Sequence, residues 1–341
     1  MVLTILYFPG QGLFTNNADD PDWILGHKIL MPAFSPKAIK AYGHEMGHLA
    51  NKLALIFDQF ADSGEAALMT RWMTNFTFET IGLTGFGYSF GMLETKDAEI
   101  HPFLKSMAFC LQESVARISQ LPVYKTLPLP VNYRYDKELG MMQATVSDVI
   151  KTRKEMLAKG LEVPKDLLTF MLTEKSNGIG MSDELIRDQV LTFLIAGHDT
   201  TSNTLAWCLF ELDRNPHVQD AILQELVNVG IQPGEIPTEQ QISQLVYVER
   251  VIKETLRMHA PARAVGKTAR KDVVLPGNYF IPEGTRMAIA IDATHQNPAV
   301  YERPEVFDPD RFLPENENKR SPFAWIPFSY GARGCIGRQF A

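Results

Sequence analysis

Apolar positions recur at helical spacing through the first two-thirds of the chain and lose that period in the last third. "PDWILGHKILMPAF" places Trp23, His27 and Leu30 on one helical face. In "SPKAIKAYGHEMGHLANKLALIFDQF", Ser35 stands at the N-cap position and Pro36 at the first helical one, where a missing N–H is tolerated. "LMTRWMTNFTFETIGLTGFG" predicts a third helix ending near Gly85-Phe86-Gly87. "ELGMMQATVSDVIKTRKEMLAKG" predicts a fourth, with basic residues in its last turns, where they suit the helix dipole.

The longest pattern is "MSDELIRDQVLTFLIAGHDTTSNTLAWCLFELDRNPHV". Ser182 caps it, Asp183 and Glu184 suit its positive end, and Asn215-Pro216 closes it. Roughly 30 residues give about 45–50 Å of helix. Its middle, "VLTFLIAG", is apolar all round, which predicts a buried helix and a place to look for a site. After "LVYVERVIKETLRMHAPAR" the period changes. "KDVVLPGNYFIPEGTRMAIAI" has short β-type runs split by Pro276-Gly277 and Pro282-Glu283-Gly284, predicting a small antiparallel sheet. Residues 292–328 are rich in proline, charge and aromatics without periodicity, and so long an irregular connection is usually functional. The fold class is therefore mainly α with a small antiparallel β region. No repeat or Gly/Ser linker divides residues 1–341, so one continuous domain is expected.

Composition narrows the functions. The 341 residues are 45% hydrophobic, ample for a large core. A net charge of −7 leaves no basic surplus to neutralise phosphates, which excludes a nucleic-acid partner. Three cysteines, an odd number far apart, argue for a reducing compartment, hence a cytoplasmic protein, rather than a disulfide framework. The apolar start "MVLTILYFPG" lacks a positive flank and is broken by Pro9-Gly10, so it reads as neither signal peptide nor membrane span.

Three constellations could carry chemistry. In "FSYGARGCIG", residues 328–337, glycines 331, 334 and 337 permit unusual backbone angles and close approach of a flat ligand, and Arg333 supplies a fixed cation. "CIGRQFA" reads as a helix start, which would place Cys335 near N–H groups that stabilise a thiolate. A lone cysteine is otherwise most often a buried free thiol; this setting instead describes a thiolate metal ligand with a clamp for an acidic cofactor. In "AGHDTT", 196–201, Asp199 and Thr200 are poor helix-interior residues. The structural alternatives are a back-bonded Thr200 and a salt-bridged Asp199. In "KETLR", Glu254 and Arg257 are spaced for a helical ion pair, and flanking Val251, Ile252, Leu256 and Met258 suggest partial burial.

Phe328-x-x-Gly331-x-Arg333-x-Cys335-x-Gly337 resembles the haem-binding loop of the cytochrome P450 monooxygenases. The resemblance implies the P450 fold, haem b with Cys335 as proximal iron ligand, Phe328 beside the sulfur and Arg333 on a haem propionate. It implies that Ala196 and Gly197 form a small-residue surface over the iron on a locally loosened helix. Asp199 and Thr200 would relay protons to bound oxygen. Glu254, Arg257 and Arg311 would form a structural triad that fixes the loop before Cys335. Trp23 and His27, four apart, match the helix that donates to propionates, with His27 in place of the commoner arginine. Phe14, nine residues before Trp23, matches a phenylalanine that gates substrate. "GLFT", "LMPAFS", "TIGLTGFGYSF", "DLLTFML" and "LTFLIAGHDTTS" resemble the self-sufficient branch, fused to a diflavin reductase, which hydroxylates fatty acids near the ω end with O2 and NADPH through FMN and FAD.

Against that branch the chain is expected to be a piece truncated at both ends of the haem domain, with no reductase module and weakened haem retention. Two other functions stand beside the monooxygenase. A peroxide-rearranging relative usually lacks the acid–alcohol pair that Asp199 and Thr200 provide. A non-catalytic or inactive haem-binding module would keep the loop and lose turnover.

Overall fold

The computed structural model describes residues 10–118 and 120–341, so the apolar opening run lies outside the described residues. Helix α1, Pro21–Leu30, is capped by the Asp20 carboxylate and runs into a 3₁₀ turn, Met31–Phe34. Helix α2, Pro36–Ser63, starts as predicted, with the Ser35 hydroxyl accepting from the Ala38 amide. Helix α3, Met69–Phe86, ends on Gly87 at φ +60°, a left-handed cap that glycine adopts without strain.

Two helical stretches fall in residues 102–137, where no helix is predicted. They are α4, Pro102–Ile118, and the start of α5, Pro130–Ala158, which begins eight residues before the predicted Glu138. Pro130 occupies the first helical position, so "LPLPVNYRYD" is a helix entrance written in prolines. Helix α6 is Leu167–Thr173. Helix α7, Asp183–Arg214, is 32 residues long and capped by the Ser182 hydroxyl at the Leu185 amide. Then follow α8, Pro216–Val229, α9, Glu239–Ile242, and α10, Val246–Met258.

The core is built on α3 against α7. Phe78, Ile81, Leu191 and Leu194 are buried there, each contributing about 1.5–3 kcal/mol by leaving water. The two helices approach closely because glycine faces an isoleucine: a Cβ on Gly197 would lie 3.0 Å from Ile81 Cγ1. A buried charge inside this core is met by backbone amides. The buried Glu79 carboxylate accepts the Phe90 and Met92 amides, each at 3.1 Å.

The β region forms two ladders where the sequence suggested one small sheet. Strand β1, Ala264–Thr268, pairs antiparallel with β4, Arg286–Ala290, while β2, Val273–Leu275, pairs with β3, Tyr279–Ile281. The inner hairpin turns on Gly277 and Asn278, both at positive φ. Short helices α11, Ile291–His295, and α12, Pro314–Glu317, interrupt the irregular segment that leads to Cys335. Among the described residues no helix is long and apolar enough to cross a membrane.

Candidate functional site

Burial separates the three cysteines. Cys110 is buried and its thiol is pushed up to about 12 by that burial; Cys208 is half-buried; Cys335 is exposed. The loop around Cys335 is closed by its own backbone. The Cys335 amide donates to the Phe328 carbonyl at 2.9 Å, and the Gly334 amide to Gly331 at 2.8 Å. Gly331 has φ +78°, where a side chain would be strained, and a Cβ on Gly334 would lie 3.1 Å from the Gly331 carbonyl oxygen. Gly337 needs no unusual angle; a Cβ there would stand 3.9 Å from both Cys335 Sγ and the Phe34 ring.

Past Cys335 the chain makes a helical turn, in which the Gly337 carbonyl accepts the Phe340 and Ala341 amides at 2.9 Å each. The thiol is raised rather than lowered, because desolvation outweighs the opposing pull of the Gly337 amide.

Arg333 binds this loop to the far end of the chain. Its guanidinium donates to the Leu13 carbonyl at 2.8 Å and to Phe14 at 3.2 Å, with its Cζ 5.0 Å from the Trp23 ring centroid. The Trp23 indole N–H also goes to Leu13, at 3.0 Å, so in this structure it serves the Gly10–Thr15 segment. His27 stacks on Trp23 with centroids 4.7 Å apart; burial, and then the Arg333 charge, hold its pKa below the usual range, so it is a neutral hydrogen-bonding group. Among the described residues Arg333 has no carboxylate partner, and a guanidinium carries five N–H donors. The Phe14 side chain is 40% exposed.

The same segment lies along α7. The Leu13 amide donates to Gln189 Oε1 at 3.0 Å, and a Cβ on Gly12 would collide with Thr192. One turn further, Phe193 meets Phe34, which also faces Phe340 and Gly337 beside the cysteine loop. The next residue on that face is Ala196, exposed between buried Ile195 and buried His198. That exposure continues along α7 at Asn203 and Trp207. Gly197 does not share it, since it faces Ile81, and its smallness serves the contact between α3 and α7.

Helix α7 is continuous through 196–201, with no loosened turn. The Thr200 hydroxyl back-bonds to the Ala196 carbonyl at 2.9 Å. Asp199 has no cation partner among the described residues; its Oδ1 is 3.5 Å from Asn203 Nδ2.

Behind the loop, Glu254 and Arg257 form a fully buried two-point pair at 2.7 and 2.8 Å. Arg311 Nε stands 3.3 Å from Glu254, whose Oε1 also accepts the Asp308 amide at 2.9 Å. Burial raises the Glu254 carboxyl, and Arg257 most strongly opposes it. Arg257 and Arg311 donate to the Pro304 and Arg303 carbonyls at 2.8 and 2.9 Å, holding a bend where Arg303 sits at φ +46°.

One residue of this scaffold carried no sequence signal. His295, fully buried, accepts the Ile326 amide on Nε2 at 2.9 Å, and its carbonyl accepts Arg257 at 3.0 Å. It therefore joins the buried ion pair to the strand of chain that enters the cysteine loop. A histidine inside an irregular, polar stretch gives no period from which its burial can be read. A groove of about 340 Å³ lies beside this junction, lined by Val265, Ile289, Phe323, Ile326 and Tyr330; neither Cys335 nor Ala196 lines it.

The family model described as Cytochrome P450 matches residues 2–341. The chain is 35% identical to bifunctional cytochrome P450/NADPH–P450 reductase 2 of Bacillus subtilis, over 98% of this chain and 31% of that protein. It is 33% identical to a self-sufficient cytochrome P450 monooxygenase of Aspergillus terreus, over 97% of this chain and again 31% of the relative. Thus the chain spans about a third of the length of these relatives. The crystal structure of the cytochrome P450DA haem domain superposes with a TM-score of 0.88 at 34% identity, covering 99% of this chain and 71% of that one.

Proposed function

The chain belongs to the cytochrome P450 family, and from that premise we propose that it forms the haem-thiolate centre of a monooxygenase acting on an apolar substrate. The observation that carries this reading is Cys335: an exposed cysteine on a loop shaped by Gly331 and bound through Arg333 to Leu13. The donor set fits the family's haem. Cys335 offers a soft ligand, while Arg333 has N–H groups left for a carboxylate and the neutral His27 offers a hydrogen bond beside it. Bound there, haem supplies O2 activation and oxygen insertion into a C–H bond.

The protein's own tasks are distributed around it. Phe328, whose carbonyl accepts the Cys335 amide, would stand beside the sulfur, with Gly331 and Gly337 keeping that surface low. Glu254, Arg257 and Arg311 hold the approach to the loop. Ala196 and Phe14 present small and apolar surface toward the substrate. The Thr200 hydroxyl would exchange its Ala196 partner and pass on a proton with Asp199, which has no cation partner among the described residues.

For the substrate we propose a fatty acid hydroxylated below its terminus, and for the electron donor a diflavin reductase carrying FMN and FAD and fed by NADPH. Kinship phrases such as "GLFT" and "LTFLIAGHDTTS" support both; the relatives named as P450/reductase fusions support the second. The test is spectroscopic first. Haem-loaded protein reduced under carbon monoxide should give a strongly red-shifted Soret band that Cys335→Ala abolishes; loaded protein without that band overturns thiolate ligation. Product analysis with a reductase, NADPH and a series of fatty acids then tests the substrate; an intact band with no fatty-acid product overturns that part alone.

A further inference from the structure

Helix α2 carries a second metal-ligating pair far from the cysteine loop in sequence. His44 and His48 are four apart, so they lie on one face, one turn from each other. Both are exposed, their ring centroids are 4.5 Å apart, and their planes cross at 80°. That spacing lets one ion reach a nitrogen of each ring at about 2.0–2.1 Å. Neither ring makes a hydrogen bond among the described residues.

The surroundings leave the pair available. Lys40 and Lys52 continue the same stripe one turn before and after it, and each is engaged elsewhere: Lys40 with Glu239 at 2.8 Å, Lys52 with Glu94 at 3.3 Å. Gly43 leaves open space beside His44. On the neighbouring face, a Cβ on Gly47 would lie 2.5 Å from Ile236 Cγ2, and Asn51 donates to the Gly234 carbonyl at 2.9 Å. These contacts fix the helix turn that carries the pair, and fixed ligands bind with less ordering cost.

We propose that His44 and His48 form a two-point site for a borderline divalent transition metal, in the order Cu²⁺ above Ni²⁺ and Zn²⁺. The ranking follows from imidazole ligation and the general affinity series. His44-Glu45-x-x-His48 has the spelling of a zinc-peptidase helix, but the chemistry stops at chelation. Among the described residues no third His, Cys, Asp or Glu joins the pair, and a catalytic zinc takes three protein ligands. Glu45 is turned about 100° round the helix from His44.

The test is calorimetric titration of untagged, haem-loaded protein with NiCl₂ or CuCl₂. One ion should bind per chain, and His44→Ala and His48→Ala should each weaken it by at least about tenfold, because each removes one arm of a chelate. The double variant, which keeps neither arm, should lose binding at this position altogether. His217→Ala, an exposed histidine on α8, should change nothing. Copper EPR should show two equivalent nitrogens in the parent and one in each single variant. Folding is checked by the unaltered thermal transition of the metal-free variants. Less than a twofold loss in either single variant, or copper spectra that do not change, overturns the site.

Discussion

His295 accepts the Ile326 amide at 2.9 Å, and no water can replace it, because the imidazole is fully buried. Ile326 leads through Pro327 to Phe328, whose carbonyl accepts the Cys335 amide at 2.9 Å. Replacing His295 with leucine leaves a buried N–H unpaired and should cost about 1–3 kcal/mol. Gln keeps an acceptor near the Nε2 position and should recover most of that loss. Urea unfolding of the two variants measures the difference; equal losses would mean that bulk, not the hydrogen bond, matters there.

The same histidine predicts an acid limit. Burial, and then the Arg257 charge, depress its pKa from 6.5 to about 4. The unfolded chain thus binds a proton between those values that the folded chain refuses, so stability rises with pH across that window. The contribution is complete above 6.5 and is lost as pH falls toward 4, on the order of 3 kcal/mol in all. In His295→Gln the slope of stability between pH 6.5 and 4 should shrink accordingly. An unchanged slope would assign the acid sensitivity to other groups.

Arg333 supports a prediction that separates geometry from charge. Its two hydrogen bonds, at 2.8 and 3.2 Å, join the cysteine loop to residues 320 and 319 positions earlier. Lysine keeps the charge but not the planar fork. Arg333→Lys and Arg333→Ala should both destabilise by about 1–2 kcal/mol, the lower part of the range for charged donors, since one bond is exposed. Faster haem loss should accompany both. A lysine variant as stable as the parent would show that the tether is electrostatic.

Thr200 can be tested without disturbing the fold. Among the described residues its hydroxyl bonds only to the Ala196 carbonyl of its own helix, so Thr200→Val should change stability by no more than about 0.5 kcal/mol. The carbon monoxide spectrum should stay as it is. With reductase, NADPH and substrate, a larger share of NADPH should be oxidised without hydroxylated product. Unchanged coupling removes Thr200 from the proton path.

How much of this was legible in the chain follows from what each feature depends on. Caps and periods are local, so Ser35 and Ser182 mark real helix starts and α7 runs as its apolar middle suggests. The cysteine loop is legible because its glycines and arginine are contiguous. What a residue faces is not local. Gly197 sits in the motif over the expected site, yet its neighbour is Ile81, 116 positions earlier. The Cys335 thiol shift depends on desolvation by distant packing, and no count of helix N–H groups could reveal it. The entrance to α5 lacks a clean period because proline and leucine alternate before it.

Gly197 also sets two known effects against each other. Replacing it with alanine in the middle of α7 gains about 1 kcal/mol of helix propensity. The new methyl would stand 3.0 Å from Ile81 Cγ1 and 3.2 Å from its Cδ1. Ile81 is 2% exposed and cannot swing into solvent, so α3 and α7 must separate or the side chain must leave its rotamer. Overpacking of this kind costs about 1–3 kcal/mol, which equals or exceeds the propensity gain. Gly197→Ala should therefore be neutral to destabilising by about 2 kcal/mol, and adding Ile81→Val should relieve it, because one methyl is removed at the contact. Thermal unfolding of the single and double variants gives the coupling directly. A stabilised Gly197→Ala protein would mean that the two helices have room that their contact distance denies.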